Sequence, residues 1–176
     1  MDLGSMADWV SGIGSLSAVV TALYLSHSSQ KIRLSGTCGH RLLVGGGDPP
    51  LHLFAISATN IGTRSTVITS IGLQTGFFRK KFATLVINQD TWSAGIPKSL
   101  SDGETAHWSL PLYTDRPWLE RLFSDFVLTR SDIASFRVKL YPSNGKPVTL
   151  NPGRAFRQMM REAMDKTRAS TRSKQA

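Results

Sequence analysis

An uncharged stretch near the N-terminus, from Trp9 to Gln30, constrains this chain more than any other feature of its sequence. A helix of this length, rising about 1.5 Å per residue, would span about 33 Å, which is close to the thickness of the hydrocarbon core of a bilayer. Trp9 and Tyr24 stand near its two ends, where aromatic side chains meet the headgroup layer. We therefore predict a single transmembrane helix within residues 1–30.

The charges on either side of this stretch indicate its orientation. Asp2 and Asp8 precede it, whereas Lys31 and Arg33 follow it. Because basic residues accumulate on the cytoplasmic side of membrane helices, we predict that the N-terminus lies outside and that the rest of the chain faces the cytoplasm from the inner (cytoplasmic) membrane. The single cysteine, Cys38, agrees with a reducing compartment, since it cannot form an internal disulfide.

Two other interpretations of the stretch stay open. A cleaved signal peptide normally begins with a basic segment and ends at a small-x-small cleavage site, but this N-terminus is acidic and no clear site follows. A helix packed on a soluble domain is the stronger alternative. Four hydroxyl side chains dilute the hydrophobicity of the span: Ser11, Ser15, Ser17 and Thr21.

Small residues also mark one face of this predicted helix. Gly14, Ala18 and Ala22 are four residues apart and therefore share that face. Small side chains at this spacing let two membrane helices approach closely, so the face predicts self-association into a homo-oligomer.

Residues 31–168 are predicted to form one mainly β domain. Short runs with β-branched side chains or alternating apolar residues, separated by turn residues, predict strands at 31–44, 51–59, 65–71, 82–87, 104–112, 133–141 and 147–150. Asn144 and Gly145 stand between the last two runs and predict a tight hairpin. Antiparallel strands at this spacing are typical of a β-sandwich or a small barrel.

Two accessory helices are predicted beside these strands. The first lies near 116–128, with Pro117 in its opening turn and a broad apolar stripe. The second lies near 152–167, with Asn151 as N-cap and Pro152 at its first position. Residues 169–176 are polar and basic, which predicts a flexible tail.

One segment resembles a known family. The residues from Ile56 to Gly72, Ile-Ser-Ala-Thr-Asn-Ile-Gly-Thr-Arg-Ser-Thr-Val-Ile-Thr-Ser-Ile-Gly, are similar to a strand–turn–strand signature of bacterial immunoglobulin-like sandwiches. The whole layout, with its apolar N-terminal helix and the later Gly103-Glu104-Thr-Ala-His-Trp108 stretch, resembles uncharacterised small bacterial and phage proteins. This resemblance implies an immunoglobulin-like fold and no particular activity.

No catalytic constellation or cofactor motif stands out, so we predict a non-enzymatic protein without a cofactor. Cys38 and His40 are too few ligands for a zinc site, and we predict no bound metal. Gly45-Gly-Gly47 lacks the Gly-Lys-Ser/Thr ending of a phosphate loop. Glu104 and His107 fall on opposite faces of a predicted strand, so they do not form a catalytic dyad.

The basic residues predict contact with an anionic partner. The formal net charge is +9, from 21 basic and 12 acidic residues. The leading candidate is Phe77-Phe78-Arg79-Lys80-Lys81, whose aromatic and basic side chains suit a lipid headgroup layer or single-stranded nucleic acid. Lys31 and Arg33 are predicted to contact the membrane as well. The alternative is a loop of partly buried phenylalanines and solvated cations.

The helix after Pro152 is a further candidate. It carries Arg154, Arg157 and Arg161 on or near its polar side. A basic amphipathic helix can lie on an anionic membrane, or it can pack its apolar face on the domain and leave its arginines in solvent.

Three functions agree with these features. The first is a membrane-anchored, cytoplasm-facing binding or scaffold module, whose basic patches contact anionic lipid or a protein partner. The second is a ligand-sensing membrane effector, of the bacterial or phage defence type, whose helices cluster in the bilayer. The third is a soluble nucleic-acid-binding protein, which requires residues 9–30 to form a core helix.

Overall fold

A computed structural model of the chain describes residues 3–29, 31–44, 50–87, 89, 92–112 and 122–175. In chain order these form α1 (Leu3–Ser29), β1 (Leu34–Leu43), β2 (Leu51–Asn60), β3 (Thr66–Thr75), β4 (Lys81–Leu85), β5 (Lys98–Leu100), β6 (Thr105–Pro111), a π-helical turn (Leu122–Phe126), α2 (Arg130–Ser135), β7 (Arg137–Pro142), β8 (Val148–Leu150) and α3 (Arg154–Gln175). The prediction of a mainly β chain with one apolar N-terminal helix is confirmed.

The strands form two antiparallel sheets. The first has the order β1-β2-β6. The second has the order β4-β3-β7-β8, and β5 lies beside β4 on the same edge of β3. The predicted hairpin at Asn144-Gly145 joins β7 to β8, and Gly145 has a φ of 95°, a left-handed conformation that glycine adopts at little cost.

One hydrophobic core contains side chains from both sheets and from α3. Its largest fully buried members include Phe54, Ile56 and Trp108 from the first sheet, Ile68, Ile71 and Leu140 from the second, and Phe156 from α3. The rings of Phe54 and Phe156 stack with centroids 4.2 Å apart. This stacked pair joins α3 to the middle of the first sheet.

A β-bulge in β3 explains how two isoleucines three residues apart both reach the core. Side chains alternate along a regular strand, so Ile68 and Ile71 would point to opposite faces. The pairing of β3 with β7 shifts between Ile68 and Ser70, which adds a residue to one strand. Both isoleucines are therefore fully buried.

Asn60 organises the turn between β2 and β3. Its side chain is fully buried, and its Nδ2 donates to the carbonyls of Arg64 (2.8 Å) and Leu100 (3.1 Å). Its Oδ1 accepts from the N–H of Gly62 at 3.1 Å. One amide side chain thus satisfies three backbone groups and ties the turn to β5, which gives the Asn-x-Gly signature a structural explanation.

We expect Asn60→Ala to lower the free energy of unfolding by about 2–3 kcal/mol, because it leaves buried backbone groups without partners. Urea denaturation followed by circular dichroism would measure the change. The control is Arg64→Ala, which keeps the carbonyl that Asn60 binds and removes only an exposed side chain. An equal effect of the two variants would contradict the role assigned to the Asn60 amide.

The helices after β6 differ from the prediction. Of the helix predicted near 116–128, residues 116–121 lie outside the described residues, and Leu122–Phe126 form a π-helical turn. The next helix, α2, was not predicted. Thr129 caps it, since its side chain accepts from the N–H of Asp132 (3.2 Å) and its N–H donates to the Asp132 carboxylate (3.0 Å). The predicted strand at 133–141 therefore begins only at Arg137.

The last helix begins two residues later than predicted and continues to Gln175, through the segment for which the sequence predicts a flexible tail. Phe156, Met160 and Met164 are buried in the core, so this helix is held by its apolar stripe. Two smaller differences concern the strands. Residues 31–33 precede β1 instead of belonging to it, and β5 was not predicted, since three residues carry too little periodicity.

Candidate membrane anchor and partner-binding surface

Helix α1 is apolar, and each of its apolar residues whose burial the structure describes is exposed. The segment Asp8–Ser28 is long and apolar enough to cross a membrane, a property that it shares with signal sequences, and none of it is buried. Its large apolar side chains are each more than half exposed, among them Trp9, Ile13, Leu16, Val20, Leu23 and Tyr24. Within the described residues, the structure does not bury this segment against the domain. The face of Gly14 is also open, since a β-carbon added to this glycine would have no neighbouring atom within 4 Å.

The chain enters the β domain through a close contact at the end of α1. The N–H of Ile61 donates to the carbonyl of Arg33 (2.8 Å), and the Arg33 guanidinium donates to Ser28 Oγ (3.2 Å). A β-carbon at Gly62 would lie 3.1 Å from the backbone nitrogen of Arg33. Glycine at this position therefore lets the segment after α1 lie directly on the turn between β2 and β3.

The predicted contact residues lie at two different ends of the domain. Lys31 and Arg33 lie near the turn that precedes β3, whereas Phe77–Lys81 run from the turn after β3 into the first residue of β4. Ten residues of extended strand separate these ends by about 30 Å. The structure does not bring Lys31 and Arg33 together with the Phe77–Lys81 segment, so the two groups cannot form one surface.

The turn between β3 and β4 forms an exposed aromatic and basic tip, here called the hairpin tip (Phe77–Lys80). Phe78 is fully exposed, Phe77 is 62 % exposed, and Arg79 and Lys80 are exposed as well. Gly76 has a φ of 91°, and its N–H donates to Ser135 Oγ (2.8 Å). Of the alternative with partly buried phenylalanines and solvated cations, the cations of the tip are exposed as it predicts, whereas Phe78 is fully exposed instead of partly buried. Lys81 begins β4 opposite Thr75 and is half-buried.

The arginines of α3 do not form a lipid-binding surface of the amphipathic-helix kind. Such a surface needs a free apolar face, but Phe156 and Met160 of α3 are fully buried in the core. Arg157 is half-buried and lies near Cys38, whereas Arg154 and Arg161 are exposed. The structure therefore favours the alternative in which α3 packs on the domain and leaves those two arginines in solvent.

A cysteine and two histidines lie close together on the first sheet. His40 Nε2 lies 2.9 Å from His52 Nδ1, and the two rings stack with centroids 5.0 Å apart. Cys38 is buried two residues before His40. Burial raises the pKa of the Cys38 thiol to about 12, although the nearby Arg157 lowers it, so the thiol is protonated and unreactive at neutral pH. Within the described ranges, no group of three or more His, Cys, Asp or Glu side chains could hold a metal ion.

We expect acidification to destabilise the domain through His40. Burial lowers the pKa of His40, and the charges of His52 and Arg41 lower it further. The unfolded chain therefore binds a proton at His40 more tightly than the folded chain does. The stabilisation from neutral His40 is present above the unfolded pKa of about 6.5 and is lost as the pH falls toward the lower pKa of His40 in the folded chain. Urea midpoints at pH 7.5 and pH 5.5 would measure the loss.

The matched variants for this experiment are His40→Gln and His107→Gln, since His107 is an exposed histidine outside the stacked pair. His40→Gln is expected to reduce the difference between the two midpoints, whereas His107→Gln is expected to keep it. Equal acid sensitivity in all three proteins would show that His40 is not the group responsible.

The Gly-Glu-x-x-x-Trp stretch has a structural role in this chain. Gly103 adopts a φ of 72°, and Glu104 binds Lys98 at 2.9 Å and accepts from the N–H of Ser101 at 2.9 Å. These contacts lower the pKa of Glu104, the Ser101 hydrogen bond most and the Lys98 partner next. Trp108 is fully buried in the core. The stretch therefore closes the turn between β5 and β6.

Known protein families and curated proteins were compared with this chain. No family model matches it, and no curated protein matches it significantly. The candidate surfaces therefore rest on geometry alone. The sequence predicted Lys31 and Arg33 as contact residues but not the cavity that they line together with Leu25 and Ile61. A further local sign of this cavity is the apolar residue inside the polar turn Asn60–Arg64.

Proposed function

We propose that this chain is a single-pass membrane protein whose β domain faces the cytoplasm and binds a protein partner with an acidic surface. The observation that carries the proposal is the exposure of α1. None of the apolar segment Asp8–Ser28 is buried, while the domain has a core of its own. An apolar helix of this size is stable in water only when something covers it, and a bilayer supplies that cover.

We also propose that the two sheets pack face to face as an immunoglobulin-like sandwich. Support comes from the core, in which inward side chains of both sheets form one cluster. The likeness of the Asn60–Gly62 and Gly103–Trp108 stretches to small bacterial and phage proteins is part of the same proposal.

The surface proposed to bind the partner is the hairpin tip. It lies at the opposite end of β3 from the turn that contacts Arg33, about 30 Å along the strand, so the length of β3 separates it from the anchor. Two exposed phenylalanines provide apolar contact area, and Arg79 and Lys80 complement carboxylates. β4, which continues from the tip, is an edge strand, and Phe82 within it and Val86 directly after it are exposed.

Cysteine labelling would test the anchor and its orientation. Native Cys38 is buried, so a single added cysteine reports its own position. In spheroplasts of a bacterial host, a membrane-impermeant maleimide is expected to label Asp8→Cys at once and Asn144→Cys only after lysis. The opposite pattern would contradict the orientation, and extraction of the chain by alkaline carbonate would contradict the membrane span.

The second candidate function is the membrane effector whose helices cluster in the bilayer. The observation that favours it is the open face of Gly14, Ala18 and Ala22, which the domain does not cover. Gly14→Leu is expected to abolish crosslinked oligomers in membranes, with Gly12→Leu as the control. Oligomers that persist in Gly14→Leu would contradict clustering through this face.

The exposure of α1 argues against the third candidate, a soluble nucleic-acid-binding protein. It requires the N-terminal segment to lie in the core, but none of Asp8–Ser28 is buried. The hairpin tip nevertheless exposes the aromatic and basic side chains with which such a protein would bind single-stranded nucleic acid. Retention of single-stranded DNA by the solubilised protein, lost in Phe78→Ala, would argue for it over an acidic protein partner.

A further inference from the structure

We infer that the junction between α1 and the β domain is a binding site for the headgroup phosphate of an anionic phospholipid. The inference rests on the proposed membrane anchor and adds a specific ligand to it. The site is a cavity of about 260 Å³ lined by Leu25, Ser28, Lys31, Arg33, Ile61, Gly62 and Thr63.

The first argument is charge. Lys31 and Arg33 line the cavity, and none of the residues that line it is acidic. The Arg33 guanidinium is already positioned by its hydrogen bond to Ser28 Oγ (3.2 Å). Arginine offers several donors in a fixed plane, so one bond to Ser28 leaves others for phosphate oxygens.

The second argument is the apolar rim. Leu25 on α1 and Ile61 on the β2–β3 turn are 60 % and 59 % exposed, respectively. An exposed isoleucine within a polar turn is explained when its side chain lies against acyl chains near the glycerol backbone. A free phosphate ion would not use these two side chains.

The third argument is depth. The cavity adjoins the last turn of the helix that would cross the bilayer, and the headgroup phosphates lie at this level. The contact of Ile61 with Arg33, which Gly62 permits, fixes the turn beside the end of the helix. A lipid bound here would therefore also orient the β domain on the membrane.

Native mass spectrometry of the full-length chain would test the site. The protein is released from micelles that contain either phosphatidylglycerol or phosphatidylcholine, and the retained lipids are counted. One phosphatidylglycerol per chain is expected to persist, with little phosphatidylcholine. Each cation near an anionic lipid contributes a factor of about five, so Lys31→Gln with Arg33→Gln is expected to weaken retention about 25-fold.

Two variants serve as controls. Arg33→Lys keeps the charge but loses the planar set of donors, so it is expected to retain less lipid than the wild type and more than the double variant. Arg64→Gln removes a cation from the same turn but outside the cavity and is expected to retain lipid like the wild type. Equal retention by the double variant and the wild type would overturn the inference, and so would displacement of the lipid by millimolar inorganic phosphate.

Carbonate extraction of the same membranes separates this inference from the proposed anchor. If the wild-type chain resists extraction but retains no phosphatidylglycerol, the lipid site is wrong and the anchor stands. If the chain is extracted, the anchor is wrong and the lipid site fails with it.

Discussion

Deletion of residues 1–30 is expected to move the protein completely from the membrane fraction to the soluble fraction without changing the thermal midpoint of the β domain. The physical reason is that α1 contributes no described residue to the core of the domain, which is formed mainly by the strands and α3. Ultracentrifugation after carbonate treatment would measure the partition. Calorimetry in one detergent would compare the midpoints of the full and shortened chains.

Deletion of residues 1–7 is the matched control, because it removes part of α1 but keeps the apolar segment Asp8–Ser28. This shorter deletion is expected to stay in the membrane fraction. Aggregation or unfolding of the chain that lacks residues 1–30 would show that α1 is part of the folded domain. Recovery of the full-length chain in the soluble fraction would contradict the membrane anchor.

Phe156→Ala is expected to destabilise the domain by about 3–5 kcal/mol, which is a large part of the stability of a domain of this size. Phe156 is fully buried, stacks on Phe54 at 4.2 Å and also contacts Phe136, whose ring centroid is 6.2 Å away. Its removal leaves a cavity between α3 and the first sheet. Urea denaturation followed by near-ultraviolet circular dichroism would measure the loss.

The control for this variant is Phe78→Ala, which removes the same ring from a fully exposed position in the hairpin tip. It is expected to change the free energy of unfolding by less than about 0.5 kcal/mol. If the two variants were equally destabilising, the tip would be packed and unable to serve as a partner-binding surface. If neither were destabilising, α3 would not be part of the core.

The deletion of residues 1–30 and the Phe156→Ala variant test the anchor and the folded domain separately. The first tests whether the N-terminal helix is dispensable for folding, and the second tests whether the C-terminal helix is essential for it. α1 carries a long apolar stretch whose side chains are exposed, whereas α3 is rich in charged residues and its apolar stripe faces the core. The apolar composition of α1 and its exposure both support the proposed anchor, whereas the buried stripe of α3 makes that helix part of the fold.

Local patterns in the sequence were sufficient for several elements. The apolar stretch Trp9–Gln30 predicted α1, because hydrophobicity and length are properties of neighbouring residues. Asn151 and Pro152 predicted a helix close to the observed start of α3, whereas the sequence left open whether its apolar face packs on the domain or lies on a membrane. Asn144-Gly145 predicted the β7–β8 hairpin, since a tight turn depends on its own two residues.

Elements that depend on distant partners were not predicted. β5 has three residues and exists because β3 pairs with it, and the bulge at Ser70 depends on β7. α2 begins where Thr129 and Asp132 form a short capping box, which the predicted strand at 133–141 concealed.

For the candidate sites, too, the local residues were predictable from the sequence, whereas their arrangement in space was not. The sequence determined that the chain carries an apolar span, two flanking cations and an aromatic–basic cluster at Phe77–Lys81. Only the tertiary structure decided that these cations lie beside Ile61 in a cavity while the cluster lies at the far end of β3. Residue type and spacing are set along the chain, whereas the distance between sites is set by which strands pair and in which register.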